Sequence, residues 1–136
     1  MIRFLLDTNI CIYAIKKKSK GLVNRLRSTK AGEVGVSSIT LSELEYGIAK
    51  SSQPIRSGIA LIEFLGPFEI LPYGNSAAKE YGRIRMELER SGSPIGPLDT
   101  LIAAHALSLD CSLVTNNERE FRRVPSLRAE NWTEGG

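Results

Sequence analysis

The chain has 136 residues, of which 42% are hydrophobic and 24% charged, values typical of one soluble globular domain spanning residues 1–136. Two cysteines and one histidine exclude a zinc site of the usual Cys/His kind and a disulfide framework, so we expect a reducing, cytoplasmic setting. The net charge of +3 weakly favours an anionic partner, and the lack of a long apolar run or a signal-peptide pattern predicts no membrane contact.

Strands and helices are predicted to alternate along the chain. The apolar run Ile2–Leu6 is typical of a strand buried on both faces. Helical spacing follows from Asn9 to Lys18, with lysines in the last turn, where they suit the helix dipole. The later pattern predicts helices over 21–28, 40–50, 55–65, 75–90 and 98–109, a helical turn over 118–122, and strands over 34–37, 68–71, 112–115 and 127–132. This alternation predicts βαβ units and a parallel sheet.

Acidic and amide side chains follow several of the predicted strands or begin the helices beyond them. In chain order they are Asp7, Glu43, Asp99, Asn116, Asn117 and Glu120. Because the functional crevice of a parallel sheet lies outside the carboxyl ends of its strands, we expect these side chains to meet at one edge.

A cluster of carboxylates at one edge is electrostatically unfavourable by itself. At a separation of ~5 Å and an effective dielectric of ~20, each like-charge pair costs roughly 3 kcal/mol. The cluster therefore requires a bound cation or the uptake of protons. Oxygen ligands select Mg²⁺ or Mn²⁺ over zinc, and the chemistry they support best is metal-assisted hydrolysis of a phosphodiester.

Each acid also has a purely structural interpretation. Asp7 suits a turn at a strand end, and Asp99 suits the first turn of a helix. Thr40 and Glu43 have the spacing of a capping box, and Glu120 has the setting of a solvated charge. Only the recurrence of acids at one sheet edge favours a functional site.

Two further titratable residues are predicted to lie outside the cluster. Glu45 lies about 200° from Glu43 around the helix axis. His105 sits mid-helix between two alanines, which favours a packed histidine over a general base, since no partner acid is identifiable nearby.

Several basic and aromatic residues are of the types that bind RNA, but each fits an ordinary surface or core position equally well. Lysines and arginines that suit phosphates are Lys16, Lys17, Lys18, Lys20, Arg83, Arg85 and Arg90. An exposed Tyr73 is expected to be available for base stacking, whereas Tyr81 is expected to pack in the core.

The chain resembles the PIN-domain ribonucleases, specifically the VapC toxins of type II toxin–antitoxin modules. The matching stretches are "FLLDTNICIYAIK", "VSSITLSELEYG", "IGPLDTLIAAHAL" and "LVTNNEREFRRVPSLRAENW". They occur in the expected order from the first strand to Trp132. The resemblance implies a three-layer α/β sandwich with a central, mainly parallel sheet of about five strands.

Carried over residue by residue, the resemblance implies metal-binding and catalytic roles for Asp7, Glu43 and Asp99. The fourth position falls in "TNNEREF", where Asn117 stands in place of a common aspartate and Glu120 is the alternative acid. Supporting hydroxyl and amide positions are Thr8, Asn9, Ser38, Thr115 and Asn116.

The same resemblance implies a function and partners. We expect a Mg²⁺-dependent endoribonuclease, with Mn²⁺ as a possible substitute, that cleaves the anticodon region of initiator tRNA and inhibits translation. It implies a homodimer and a cognate VapB antitoxin whose C-terminal segment covers the acidic pocket. The toxin–antitoxin complex is expected to bind its operator DNA through the antitoxin.

Two other classes compete with this interpretation. A phosphoacceptor receiver domain requires an aspartate at the end of the third strand, where this chain has Leu71-Pro72-Tyr73. A non-catalytic module of the same fold, binding RNA or an antitoxin, is disfavoured by Asp7, Glu43 and Asp99 and allowed by Asn117.

Overall fold

A five-stranded, entirely parallel sheet forms the centre of this computed structural model, which describes residues 1–133. The strands are β1 (Phe4–Leu6), β2 (Val34–Ser37), β3 (Glu69–Leu71), β4 (Ser112–Val114) and β5 (Ala129–Glu130). Their spatial order is β3–β2–β1–β4–β5, and Leu5 lies opposite both Gly35 and Leu113. β1 is therefore the central strand, and the residue that follows it lies in the middle of the carboxyl edge.

Helices cover both faces of the sheet. They are α1 (Thr8–Ile15), α2 (Lys20–Ser28), α3 (Ser38–Ala49), α4 (Pro54–Leu65), α5 (Asn75–Arg90), α6 (Pro97–Leu109) and α7 (Glu118–Phe121). None of the helices in residues 1–133 combines the length and apolar character needed to cross a membrane.

Two hydrophobic cores lie on opposite faces of the sheet, because successive strand residues point to opposite sides. Phe4 and Leu6 join the core beneath α1 to α4. Leu5 joins the second core, together with Ile84 of α5 and Ile102 of α6. This arrangement confirms the three-layer α/β sandwich predicted from the sequence.

The start of α3 differs from the prediction in a way that bears on the acids. The Ser37 hydroxyl accepts a hydrogen bond from the Ile39 N–H at 3.1 Å, so it caps a helix that begins at Ser38, two residues earlier than predicted. Thr40 then lies inside the helix and is fully buried. The capping-box interpretation of Thr40 and Glu43 is therefore wrong, which removes the structural explanation for Glu43.

The end of α1 also differs. The helix stops at Ile15, and Lys17 adopts a left-handed backbone conformation with φ of 54°. The lysines predicted for the last turn of this helix thus lie beyond it, in the connection to α2. The outermost strand is shorter than predicted, since only Ala129 and Glu130 pair with β4.

Candidate active site

Asp7 follows β1 directly and combines a structural with an electrostatic role. Its Oδ1 accepts a hydrogen bond from the Ile10 N–H at 2.8 Å, which caps α1. The residue is only 4% exposed. Burial raises the pKa of Asp7 from 3.8 to about 6 and the Glu43 charge adds to the rise, whereas hydrogen bonds from Thr115 and Ile10 oppose it. The carboxyl group is thus held in place but poorly stabilised as an anion.

Glu43 reaches the same edge from the second turn of α3. The Thr8 hydroxyl donates a hydrogen bond to Glu43 Oε1 at 2.6 Å, and it also lies 3.3 Å from the Thr40 hydroxyl. This contact joins the start of α1 to α3 and gives Thr8 the supporting position predicted for it. Glu45 is exposed on the other side of the helix, as its spacing predicts.

Asp99 and Glu120 form a carboxyl pair at the start of α6. The Glu120 carboxyl group acts on the ionisation of Asp99 both through hydrogen bonding and through its charge. Partial burial, this hydrogen bond and the charges of Glu120, Asp7 and Glu43 together raise the pKa of Asp99 from 3.8 to about 7. Glu120, Asp7 and Glu43, all distant from Asp99 in sequence, therefore lie close enough to raise its pKa.

Glu120 and Asn117, the two candidates for the fourth position, are hydrogen-bonded to each other. The Gly96 N–H donates to Glu120 Oε1 at 3.1 Å, and the Asn117 side-chain amide donates to Oε2 at 2.5 Å. The Asn117 N–H in turn donates to the Thr115 hydroxyl at 2.9 Å. Glu120 faces Asp99, and Asn117 holds Glu120 in place, so Glu120 is not the freely solvated charge that its setting suggested.

The remaining supporting positions divide into two groups. Thr115 is fully buried and hydrogen-bonds to the Asp7 carboxyl group. The Ser38 hydroxyl instead accepts a hydrogen bond from the Tyr73 N–H at 3.0 Å and so ties α3 to the end of β3. Asn9 is exposed, Asn116 is half-buried, and neither side chain makes a hydrogen bond within residues 1–133.

The carboxylates approach in pairs rather than around one point. Within the described part of the chain, no three Asp, Glu, His or Cys side chains are placed together so as to hold one metal ion. The donor set of carboxylate and amide oxygens nevertheless suits Mg²⁺ or Mn²⁺. The pKa values of Asp7 and Asp99 are raised first by burial and then by the charges of the neighbouring carboxylates, and a divalent cation would oppose both effects. The residues therefore fit such an ion by chemistry and by charge.

A buried histidine links the helices that carry the acids, a connection that sequence reasoning missed. His105 Nδ1 lies 2.8 Å from the Ser37 hydroxyl, and the ring also hydrogen-bonds to the Pro72 backbone. The Tyr73 ring packs edge-on against it with centroids 5.5 Å apart. His105 is thus the packed histidine that was predicted, and Tyr73 is half-buried rather than fully exposed. Ser37 and His105 lie 68 residues apart in the sequence, so no local pattern signals their contact.

Comparison with known proteins agrees with this geometry along nearly the whole chain. The PIN domain family model matches residues 4–127. The tRNA(fMet)-specific endonuclease VapC of Shigella flexneri is 47% identical, over 98% of this chain and 100% of that protein. Ribonuclease VapC2 of Rickettsia felis is 43% identical, over 95% and 97% of the two chains.

A solved structure is also similar over nearly the whole chain. The crystal structure of DNA-bound VapBC from Salmonella typhimurium contains a chain that superposes with a TM-score of 0.93 at 45% identity, covering 97% of this chain and 99% of that one. The matched segments contain all four acids of the carboxyl edge.

Proposed function

This chain belongs to the PIN-domain family, among the VapC ribonucleases, and from that premise we propose that it is the endoribonuclease toxin of a type II toxin–antitoxin module. Its proposed substrate is initiator tRNA, cut in the anticodon region, with inhibition of translation as the result. The observation that carries the proposal is that Asp7, Glu43, Asp99 and Glu120 all lie along the carboxyl edge of a parallel sheet, near enough to raise the pKa values of Asp7 and Asp99. The name of the Shigella flexneri relative supports the choice of tRNA.

The proposed cofactor is Mg²⁺, with Mn²⁺ as a possible substitute. Asp7, Asp99 and Glu43 would hold it, with Glu120 or Asn117 completing the oxygen donors. When bound, the cation supplies positive charge against the charge that develops on the phosphoryl group and lowers the pKa of water.

The chain's own residues prepare this site. Thr8 fixes Glu43 by its 2.6 Å hydrogen bond, and Thr115 orients Asp7 from the buried side. Gly96 and Asn117 hold the two oxygens of Glu120. With its pKa raised to about 7, Asp99 takes up a proton near neutral pH, which offsets part of the repulsion, and a bound cation would favour the release of that proton.

The proposed partner is a cognate VapB antitoxin. The chain from Salmonella typhimurium that this chain resembles is part of a VapBC complex bound to DNA, which supports both the antitoxin and an operator-binding complex. A basic antitoxin side chain entering the acidic edge would replace the cation and block the substrate. A homodimer completes the proposal by resemblance to the family.

Sequencing of RNA ends after expression of this chain without its antitoxin tests the proposal. We expect new ends in the initiator tRNA anticodon region with the wild type and none with Asp7→Asn. Glu45→Gln is the matched control, since that carboxylate faces away, and it should cut like the wild type. Identical RNA ends with and without Asp7→Asn would contradict nuclease activity of this site and favour a non-catalytic module.

A further inference from the structure

A groove of about 850 Å³ opens beside the acidic edge, between α1, α3 and α4. We call it the α3–α4 groove. Glu43, Gly47 and Lys50 line it along one face of α3, at positions i, i+4 and i+7. Glu43, at one end of this row, accepts the Thr8 hydrogen bond at the candidate active site. The groove is therefore continuous with that site, and its size suits a short segment of a ligand.

The two walls of the α3–α4 groove differ in chemistry. The apolar lining is formed by Ile12 and Ile15 of α1, Leu44 and Ile48 of α3, and Ala60 and Leu61 of α4. The opposite wall runs from the end of α3 through the turn into the first residues of α4, and its side chains are hydroxyl, amide or cationic. These are Lys50, Ser51, Ser52, Gln53, Arg56 and Ser57. Such side chains are the ones that bind phosphate oxygens in nucleic-acid complexes.

The cations of the groove are not neutralised by the protein. Lys16, Lys50 and Arg56 line it, whereas Glu43 is the one acid among its described lining residues. The Lys50 ammonium lies over the Tyr46 ring at 4.7 Å, and Arg56 donates to the Gln53 side-chain oxygen at 3.3 Å. Within residues 1–133 none of the three cations forms a salt bridge. They remain available to an anion.

Gly47 gives the groove its depth. A Cβ atom at this position would meet no other atom within 4 Å, so packing does not require glycine here. A glycine inside a helix costs about 0.5–1 kcal/mol relative to alanine. Its effect is to leave the floor of the groove open to the close approach of a ligand.

We propose that the α3–α4 groove is the path of the substrate RNA strand next to the scissile phosphate, with Lys50, Arg56 and Lys16 binding its backbone. This inference rests on the proposed ribonuclease function. Lys50 lies about 10 Å along α3 from Glu43, from the helical rise, so a phosphate bound there belongs to a nucleotide near the cleavage point. The unpaired cations and the wall of donors favour RNA over an acidic peptide of an antitoxin, and the apolar wall contacts sugar and base faces.

Kinetics on an initiator tRNA transcript test the path with a double variant, Lys50→Gln with Arg56→Gln. We expect KM to rise about tenfold with kcat unchanged, because the substitutions remove backbone contacts and leave the acids intact. The slope of log kcat/KM against log salt should become less steep by about 0.7 for each phosphate that the variant no longer neutralises. The matched control is Lys79→Gln with Arg27→Gln, exposed cations of α5 and α2 outside the groove, which makes the same change in net charge and should leave KM near the wild-type value.

A second pair of variants tests the floor of the groove. Gly47→Leu fills it, and Gly82→Leu places the same side chain on α5, where a Cβ atom also meets nothing within 4 Å. Both proteins should melt no lower than the wild type, but only Gly47→Leu should raise KM.

Binding of the transcript to metal-free protein, measured by fluorescence anisotropy, separates failure of the path from failure of the function. Weaker binding by the groove variants supports the path whether or not the wild type cleaves. If the wild type cleaves and the groove variants keep wild-type binding and KM, the proposed RNA path is wrong. Loss of antitoxin binding alone in those variants would also overturn it, because the groove would then be a peptide site.

Discussion

The carboxyl edge of the sheet and the exposed face of α5 both concentrate charge, but they arrange it in opposite ways. On α5, Arg83 lies 2.6 Å from Glu80 and 3.1 Å from Glu87, so opposite charges meet in water. At the edge, like charges face each other in partial burial, and the pKa values of Asp7 and Asp99 rise to about 6 and about 7. The exposed face of α5 compensates its own charge, whereas the edge leaves negative charge for a ligand to compensate.

The sharpest test of this contrast is the removal of one acid. Asp99→Ala should lower Mg²⁺-dependent RNA cleavage by about 10³-fold or more, because several kcal/mol of transition-state stabilisation depend on the cation. Single-turnover cleavage of a tRNA transcript over a range of Mg²⁺ concentrations measures the loss.

Glu45→Gln serves as its control, since it removes one carboxylate from the exposed side of α3. It should cleave like the wild type. Inactivity of this control would show that the functional glutamate of α3 is Glu45 and not Glu43.

A smaller effect is expected on stability, and its sign follows from the raised pKa. Because the folded pKa of Asp7 is about 6 against 3.8, the folded protein binds more protons than the unfolded chain between these values, and stability falls as pH rises through 6. Asp7→Asn keeps the cap of α1 and does not titrate. Above pH 6 the metal-free variant should be more stable than the wild type by roughly 3 kcal/mol, with little difference below pH 4.

Denaturant unfolding in a chelator at several pH values measures this difference. Asp99→Asn should shift stability in the same direction, since its pKa is raised too. Addition of Mg²⁺ should stabilise the wild type more than Asp7→Asn, because a cation that binds the folded state stabilises it. A variant less stable than the wild type at neutral pH would mean that Asp7 is chiefly a structural cap.

The position of the acids was predictable from the sequence because parallel sheets bring the ends of their strands to one edge. Helical periodicity put Glu43 and Glu45 on different faces of the helix, and the resemblance to the PIN-domain ribonucleases assigned the role to Glu43. The start of α3 was not predictable, since Ser37, Ser38 and Thr40 are all good capping residues and only packing selects among them.

Contacts between distant segments escaped sequence reasoning for a different reason. The Gly96 N–H donates to Glu120, which is 24 residues away in the sequence, and His105 hydrogen-bonds to Ser37, which is 68 residues away. Periodicity describes which face of an element is buried, but it does not identify the partner on the facing element. The roles of Glu120 and Asn117 therefore required the structure.

A third prediction concerns the support of the acidic edge. Thr8→Val removes the hydroxyl that donates to Glu43 at 2.6 Å while keeping the shape of the side chain. The loss of a group that orients a ligand typically costs 10–100-fold, so the apparent Mg²⁺ affinity should fall by about that factor. Titration of Mg²⁺ against cleavage rate and against melting temperature measures it, and unchanged titrations in both would exclude the support role.

The smallest change in stability is expected from a substitution on α5, and its dependence on salt distinguishes it from the effect of Asp7→Asn at the carboxyl edge. Arg83→Gln removes two ion pairs whose side chains are about 30–40% exposed, so it should cost only about 0.5 kcal/mol at low ionic strength. In about 1 M salt the Debye length is ~3 Å, and the cost should vanish.

The gain from Asp7→Asn should persist in the same salt, because burial and not a solvent-exposed charge is its main cause. Unfolding curves of both variants at low and high salt compare the two regions, and a gain from Asp7→Asn that disappears with salt would assign its raised pKa to exposed neighbouring charges instead.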